Sequence, residues 1–413
     1  MSRALLHRDV RRQQDALCEH VAAMAAQRTA ANARFFAEEP ERLARLCHRI
    51  AERFARGGRL IALGATPAAR SDARHVAVEF VHPVIVGKRA LPAVALTAES
   101  GDPVAQVGLL AVPQDILIGF GADEDGGACT RAIALARARG CLTIAFAPAG
   151  AEWEFLPPSA DAALVQELVE TLYHVLWELV HVFFEQRGLL EGAPARAAHD
   201  AGAAGFLYPF LAEPARALAP VIEDVSRSVT MKSQEIGALR AQTLSENSAL
   251  LADAARVLRG RFERGGKLLA LGNGGSATDA MDIVADFHGG AGPYPARPAI
   301  DLTEDTAIIT AIANDIGAEA IFSRQVIAHA ASHDALLALS TSGGSANVIA
   351  ALVQARRMGL ATIAMVGYDG GRVGAEALAD HVLVVRSEHI PRIQEAQASA
   401  CHALRELVEL VGA

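Results

Sequence analysis

The chain has 413 residues and a formal net charge of −9 without a block of basic residues, so two or three domains are expected and a nucleic-acid surface is not. Its cysteines are five, scattered and without a C-x-x-C pair, which argues against a disulfide framework or a cysteine zinc site and favours a reducing cytoplasm. No signal peptide or membrane span is expected, because the N-terminus lacks a sustained apolar run and the most apolar stretch, 172–184, carries titratable side chains.

The first half of the chain predicts a helical lead-in followed by alternating strands and helices. Residues 1–55 place Leu, Val and Phe at helical spacing, and Gly57 and Gly58 end the pattern. Short apolar strands are predicted over 59–64, 93–96, 115–120 and 142–146, with helices over 72–81 and 130–139. Strands that alternate with helices indicate a parallel sheet covered on both faces.

The second half repeats this order. Residues 262–272 match 54–64, residues 297–303 match 91–97, and 214–261 have the amphipathic helical pattern of the lead-in. Between the copies, 188–213 is rich in Ala, Gly and Pro and poor in large apolar residues, which is typical of a linker. We therefore predict a tandem duplication, with one copy in 1–187, a linker in 188–213 and a second copy in 214–413.

Two small-residue loops stand out in the second copy. A predicted strand over 268–271 runs into Gly272-Asn-Gly-Gly-Ser276 and a helix over 277–287, and a strand over 336–339 runs into Ser340-Thr-Ser-Gly-Gly-Ser-Ala-Asn347 and a helix ending near Arg357. Backbone N–H groups and hydroxyls at helix N-termini suit a phosphate, and parallel strands bring such loops to one sheet edge. The predicted anion site comprises Asn273, Gly274, Gly275, Ser276, Ser340, Thr341, Ser342 and Ser345.

Five ordered motifs carry a family resemblance that covers about 222–411. They are Gly272-Asn-Gly-Gly-Ser-Ala277, Ala313-Asn-Asp315, Ser340-Thr-Ser-Gly-Gly-Ser-Ala-Asn-Val348, Gly367-Tyr-Asp-Gly-Gly371 and Arg392-Ile-Gln-Glu395. Together they resemble the sugar isomerase (SIS) domain of bacterial phosphoheptose isomerases. The resemblance implies a homotetramer with sites at subunit interfaces and an α/β fold, here two tandem SIS domains, each a five-stranded parallel sheet flanked by helices and preceded by a helical lead-in. We expect the chain to form a homodimer, which would supply four SIS units.

The resemblance also implies a set of acid, base and zinc-binding residues. In the family a His and a Glu one helical turn apart follow the first phosphate loop, and a Gln and a His eight residues apart lie on the last helix. The first copy retains all four, as His75, Glu79, Gln166 and His174. Its phosphate loops depart from the family, since Gly64-Ala-Thr-Pro67 replaces the glycine-rich turn and the acids at 123–125 would repel a phosphate.

The second copy has the opposite pattern. Its loops are intact, and Asn314 and Asp315 match the family's substrate-contacting pair, but Asp282 and Asp286 stand in place of the His and Glu, while Gln394 and His402 remain. Asp286 is shorter than Glu, so it would act as base only if the sugar lies closer; a misplacement of about 1 Å costs on the order of a hundredfold in rate. Two Asp, a Gln and a His favour Mn²⁺ or Mg²⁺ over the family's zinc.

The resemblance implies an intramolecular oxidoreductase that converts sedoheptulose 7-phosphate to D-glycero-D-manno-heptose 7-phosphate, for lipopolysaccharide core synthesis. Ketose–aldose isomerisation through an enediol needs a base and an acid. The base is Asp286 or Glu79, and the acid is His402 or His174. Two alternatives stay open: a non-catalytic phosphosugar-binding regulator, similar to the relative that binds the bacterial replication initiator, and an isomerase for a hexulose or pentulose phosphate. Whether the first copy shares in catalysis or is a structural remnant is also open.

Overall fold

The computed structural model describes residues 3–84, 88–97, 101–121, 127–186, 189–190, 217–289 and 294–411. Nearly all of the predicted linker 188–213, and the three acids at 123–125, therefore lie outside the described residues. Within the described residues, no helix has the length and apolar character needed to cross a membrane.

The first copy forms a sheet of five parallel strands. In chain order its elements are α1 (Arg3–Phe36), α2 (Pro40–Ala55), β1 (Leu60–Gly64), α3 (Pro67–Val81), β2 (Ala93–Thr97), α4 (Pro103–Leu110), β3 (Ile116–Phe120), α5 (Ala128–Ala138), β4 (Leu142–Ala145), β5 (Trp153–Glu154) and α6 (Ala162–Glu185). The strand order is β2-β1-β3-β4-β5. Thr66 accepts a hydrogen bond from the Ala69 N–H at the start of α3, and Pro67 occupies its first turn.

The second copy repeats this architecture. Its elements are α7 (Leu218–Glu246), α8 (Ser248–Glu263), β6 (Leu268–Leu271), α9 (Gly275–Phe287), β7 (Ala299–Asp301), α10 (Thr306–Asp315), a 3-10 turn (Ala318–Ala320), α11 (Ile321–His329), β8 (Ala335–Ser340), α12 (Ala346–Arg357), β9 (Ala361–Gly367), α13 (Gly371–Ala375), β10 (His381–Val385) and α14 (Ile390–Leu410). The strand order β7-β6-β8-β9-β10 is that of the first sheet. The predicted fold of two five-stranded parallel sheets flanked by helices is confirmed.

Strand β6 shows why the second sheet is apolar throughout. Successive side chains of a strand point to opposite faces. Leu268 and Ala270 pack in one core cluster with α8, α9 and α14, whereas Leu269 and Leu271 pack in the other with α11 and α12. Helices cover both faces, so every residue of the strand is buried. The polar side chains near this strand therefore lie in the loops at its ends.

The chain divides into two compact units. The C-terminal unit comprises Met1–Ala31, Ala160–Glu167 and Glu235–Ala413, and the N-terminal unit comprises Asn32–Ser159 and Leu168–Gln234. Helices α1, α6 and α7 therefore each contribute residues to both units. The boundaries predicted from the sequence, at 187 and 214, stay predictions.

Candidate active site

The first small-residue loop joins β6 to α9. Gly272 has no room for a side chain, because a Cβ there would lie 2.2 Å from the carbonyl oxygen of Ser276. Gly274 adopts a φ of 58°, which favours glycine. Asn273 and Gly274 are exposed, whereas Gly275 and Ser276 are buried in the first turn of α9. The loop thus presents its amide side chain and backbone to solvent at a helix N-terminus.

The second loop joins β8 to α12 and is held by its own hydroxyls. The buried Ser340 accepts a hydrogen bond from the Gly343 N–H at 3.2 Å, and Ser342 accepts one from the Gly344 N–H at 3.2 Å. A Cβ on Gly343 would lie 2.3 Å from the carbonyl oxygen of Gly370, so the loop after β9 packs tightly against this one. Ser345 occupies the N-cap position of α12 without a side-chain capping bond.

A reciprocal amide pair joins the two loops. Asn273 Nδ2 donates to Asn347 Oδ1 at 3.0 Å, and Asn347 Nδ2 donates to Asn273 Oδ1 at 2.9 Å. The structure therefore brings together the two loops that the sequence separates by more than sixty residues. The exposed Ser342 hydroxyl, the half-buried Thr341 and Ser345 hydroxyls and the loop N–H groups lie at one edge of the sheet, which suits an anion.

A carboxylate and an imidazole meet at the other end of α9. Asp286 is the penultimate residue of α9, and its Oδ2 lies 3.7 Å from Nε2 of His402 on α14. They line a cavity of about 350 Å³ together with Gln166, Arg28 and Arg405, all within the C-terminal unit. The structure thus pairs the predicted second-copy base with the predicted second-copy acid.

The surroundings shift the proton affinities of this pair. Burial alone would lower the pKa of His402, but its hydrogen bond to Glu167 and the charges of Glu167 and Asp286 outweigh burial, so its pKa lies above the ordinary value. Burial raises the pKa of Asp286, against the opposing effect of His402 and Arg405. Both shifts suit proton transfer near neutral pH.

The remaining second-copy candidates are not among the residues that line this cavity. Asn314 and Asp315 end α10 in exposed positions, and Asn314 Nδ2 donates to Asp315 Oδ1 at 2.7 Å. Asp282 is half-buried, one turn before Asp286. Gln394 on α14 is 3% exposed, and its Oε1 has no hydrogen-bond partner among the residues that the structure describes.

Comparison with known proteins identifies the family of the second copy. A family model described as the SIS domain matches residues 233–367. A phosphoheptose isomerase of Citrifermentans bemidjiense is 46% identical over 165 residues, which is 40% of this chain and 85% of that protein. The chain belongs to the phosphoheptose isomerase family. A second member, from a Roseiflexus species, is 42% identical over 200 residues, 46% of this chain and 91% of the relative.

Solved structures extend the fold comparison to both copies. Tagatose-6-phosphate ketose/aldose isomerase from Escherichia coli superimposes with a TM-score of 0.54 at 12% identity, over 94% of this chain and 92% of that one. At this identity the likeness shows the fold alone. The phosphoheptose isomerase from Neisseria gonorrhoeae is 33% identical, with a TM-score of 0.42, over 45% of this chain and 98% of its own.

In this member of the phosphoheptose isomerase family, the first copy gathers a buried polar cluster in the N-terminal unit. Nε2 of His75 lies 3.2 Å from Nε2 of His174 and 3.9 Å from Glu79 Oε1. His75, Glu170 and His174 form a group whose ligand atoms all lie within 4.8 Å of one another. Glu170 was not predicted, although it precedes His174 by four residues and so shares its helix face. Gln166, predicted to act with His174, lines the cavity of the C-terminal unit instead.

This cluster fits a divalent metal ion. Burial, with His174 close by, holds the pKa of His75 well below the ordinary value, so the imidazole is neutral and able to ligate. Two facing Nε2 atoms leave a lone pair for a cation, and two imidazoles with carboxylates form a donor set that zinc accepts. Asp282, Asp286 and His402 form no such group in the described part of the chain. The metal role of the second-copy set, which includes Gln394, stays a prediction.

Proposed function

We propose that this chain is an aldose–ketose isomerase of sugar phosphates that converts sedoheptulose 7-phosphate to D-glycero-D-manno-heptose 7-phosphate. The observation that carries the proposal is the amide pair between Asn273 and Asn347, which holds two hydroxyl-bearing loops together. The substrate class and the reaction are those named for the phosphoheptose isomerases that the chain resembles. The proposed phosphate ligands are the groups of Ser276, Ser340, Ser342 and Ser345, with Asn314 and Asp315 contacting the sugar.

The length of α9 supports a long substrate. Asp286 follows Ser276 by ten residues, which corresponds to about 15 Å along a helix axis. A sugar whose phosphate lies at the loops must extend along most of this helix to place its carbonyl end beside Asp286. An extended seven-carbon ketose phosphate covers more of this separation than a pentulose phosphate does.

The proposed mechanism uses Asp286 as base and His402 as acid. The Asp286 carboxylate removes a proton from C1 of the ketose while His402 Nε2 donates a proton to the carbonyl oxygen on C2, which yields an enediol. Nε2 of His402 then accepts the proton of the C1 hydroxyl, and Asp286 delivers to C2 the proton that it took from C1. The product is the aldose, and both side chains recover their starting protonation.

We further propose that the first copy holds a divalent metal ion, with His75, Glu79, Glu170 and His174 as its ligands. Zinc is favoured by the imidazole donors, and such an ion would stabilise negative charge on a ligated oxygen. No step of the mechanism at Asp286 and His402 depends on it. We also propose that the chain acts in the cytoplasm, in lipopolysaccharide core synthesis, and as a homodimer of four SIS units.

Incubation with sedoheptulose 7-phosphate tests the function. Product is followed by NMR with added zinc, with added manganese and with a chelator, using wild type and Asp286→Asn. We expect turnover by wild type and a loss of about 100-fold or more in Asp286→Asn, because the base is removed. Binding without turnover under every condition would contradict the isomerase proposal and support the regulatory alternative. Loss of turnover in Glu79→Gln would show that the first copy takes part.

A further inference from the structure

Glu167 is the most completely enclosed carboxylate beside the proposed acid. It lies on α6 within the C-terminal unit and is 0% exposed. Its oxygens accept hydrogen bonds from Arg28 Nε at 2.9 and 3.1 Å, from His402 Nδ1 at 2.9 Å and from Ser399 Oγ at 2.5 Å. Arg240 Nε lies 3.9 Å away. A buried carboxylate with this many donors has a fixed position and a compensated charge.

We propose that Glu167, a residue of the first sequence copy, is a positioning residue for His402 in the second copy's isomerase site. This inference rests on the proposed function. An ionised carboxylate only accepts hydrogen bonds, so the Nδ1 of His402 must carry the hydrogen in this contact. Nε2 is thereby directed toward Asp286 and the cavity. Glu167 thus selects the ring nitrogen that exchanges protons with the sugar and fixes the plane of the ring.

The matching residue of the second copy does something else. Gln394 and Glu395 align with Gln166 and Glu167 when the copies are compared. Glu395 is also fully buried, but it pairs with Arg392 at 2.6 Å. The two copies therefore use the same sequence position differently, and the first copy contributes to the site through a side chain outside the predicted metal set.

The substitution Glu167→Gln tests the role with little change in size. The amide presents either its oxygen or its NH₂ group to Nδ1, so it no longer enforces one tautomer. We expect kcat to fall by about 10- to 100-fold while KM stays within about threefold, because the substrate contacts are unchanged. Asp334→Asn is the matched control. Asp334 is also a buried carboxylate of this unit, paired with Lys267 at 2.6 Å, and does not line the cavity; its kcat is expected to stay at the wild-type value.

NMR of protein labelled with ¹⁵N-histidine gives a readout that does not need turnover. The His402 signals are assigned by their loss in His402→Gln. The spectra are recorded at a pH above the raised pKa of His402, where the ring is neutral. We expect the Nδ1–H form in wild type and a mixture of tautomers in Glu167→Gln. If wild type isomerises no sugar phosphate, the proposed function fails, yet the tautomer comparison still decides the role of Glu167.

Two results would overturn the inference: identical His402 signals in wild type and Glu167→Gln, or a kcat for Glu167→Gln no lower than that of Asp334→Asn. If Glu167→Gln does not fold, Ser399→Ala replaces it. This variant removes one donor to Glu167 and leaves the carboxylate in place. We expect a smaller loss of kcat in the same direction, about two- to fivefold, from loosening one hydrogen bond. An unchanged kcat in Ser399→Ala would then count against the positioning role.

Discussion

The buried Glu79 predicts that stability depends on pH in a way that Glu79→Gln removes. Glu79 is 2% exposed on α3, and its Oε2 has no hydrogen-bond partner in the described part of the chain. Burial raises its pKa from the ordinary value of 4.5 to about 7, against the charge of His174 and with the help of Glu178. The folded state therefore holds a proton that the unfolded chain has already released at intermediate pH.

The sign and size of the effect follow from this difference. A carboxyl whose pKa is raised on folding contributes its stability fully below pH 4.5 and loses it as pH rises through about 7. The interval between the two values corresponds to roughly 3 kcal/mol of unfolding free energy. Without metal, we expect wild type to lose on the order of 3 kcal/mol relative to Glu79→Gln between about pH 4.5 and pH 8.

Tryptophan fluorescence isolates the relevant unit. Both tryptophans, Trp153 and Trp177, belong to the N-terminal unit, which also contains Glu79. Urea unfolding with a chelator, across this pH range, yields the free energies of wild type and Glu79→Gln. Other titrating groups are common to both proteins and cancel in the comparison. A wild-type-minus-variant difference that does not change with pH would refute the reasoning.

Three further substitutions test the loops and the sheet. Asn347→Ala removes both bonds of the amide pair, and we expect about five- to tenfold weaker binding of a sugar phosphate by calorimetry, since a hydrogen bond contributes about 1 kcal/mol. Gly343→Ala places a Cβ 2.3 Å from the Gly370 carbonyl oxygen at a φ of 59°, and we expect a loss of at least about 2 kcal/mol in thermal unfolding; wild-type stability would contradict this. Burial opposes ionisation of Asp334, but Lys267 and backbone N–H donors hold its pKa below the ordinary value. The ionised Asp334 therefore stabilises the folded state at neutral pH, and this contribution is lost as pH falls through the lowered pKa. Asp334→Asn should therefore cost about 1–3 kcal/mol at neutral pH and progressively less as pH falls below 3.8, as measured by urea unfolding; a cost that does not change with pH would count against the ion pair.

The strands and the two small-residue loops were predictable because local signals determine them. Apolar runs between glycine turns marked β1, β6 and β8 within a residue or two, since a buried parallel strand has few alternatives to such a run. The repeated order of elements predicted two equivalent sheets, and both have the same strand order. The two loops were expected to meet because parallel strands end at one edge, and the Asn273–Asn347 pair shows that they do.

The partners of the titratable residues could not be predicted in the same way. Gln166 and His174 are eight residues apart, which is about 12 Å along a helix axis, and spacing alone does not decide whether they serve one site. The structure assigns Gln166 to the C-terminal unit and places Glu170, a single turn from His174, in the buried group with His75. The bond from His402 to Glu167 spans more than two hundred residues, and only the tertiary packing of α6 determines it.

Helix α1 is divided between the two units, and this division affects whether the second copy can fold when it is made separately from the first. Leu17, Val21, Met24 and Ala25 of α1 belong to the same core cluster as Ile236, Leu244 and the strands of the second sheet. A fragment starting at Pro214 would leave that apolar surface facing water and would lack Glu167 as well. Proteolytic cleavage inside 188–213 should therefore give two pieces that remain associated, whereas separate synthesis of the C-terminal piece should give an aggregating polypeptide. Because both copies belong to one polypeptide, they are always synthesised in a 1:1 ratio.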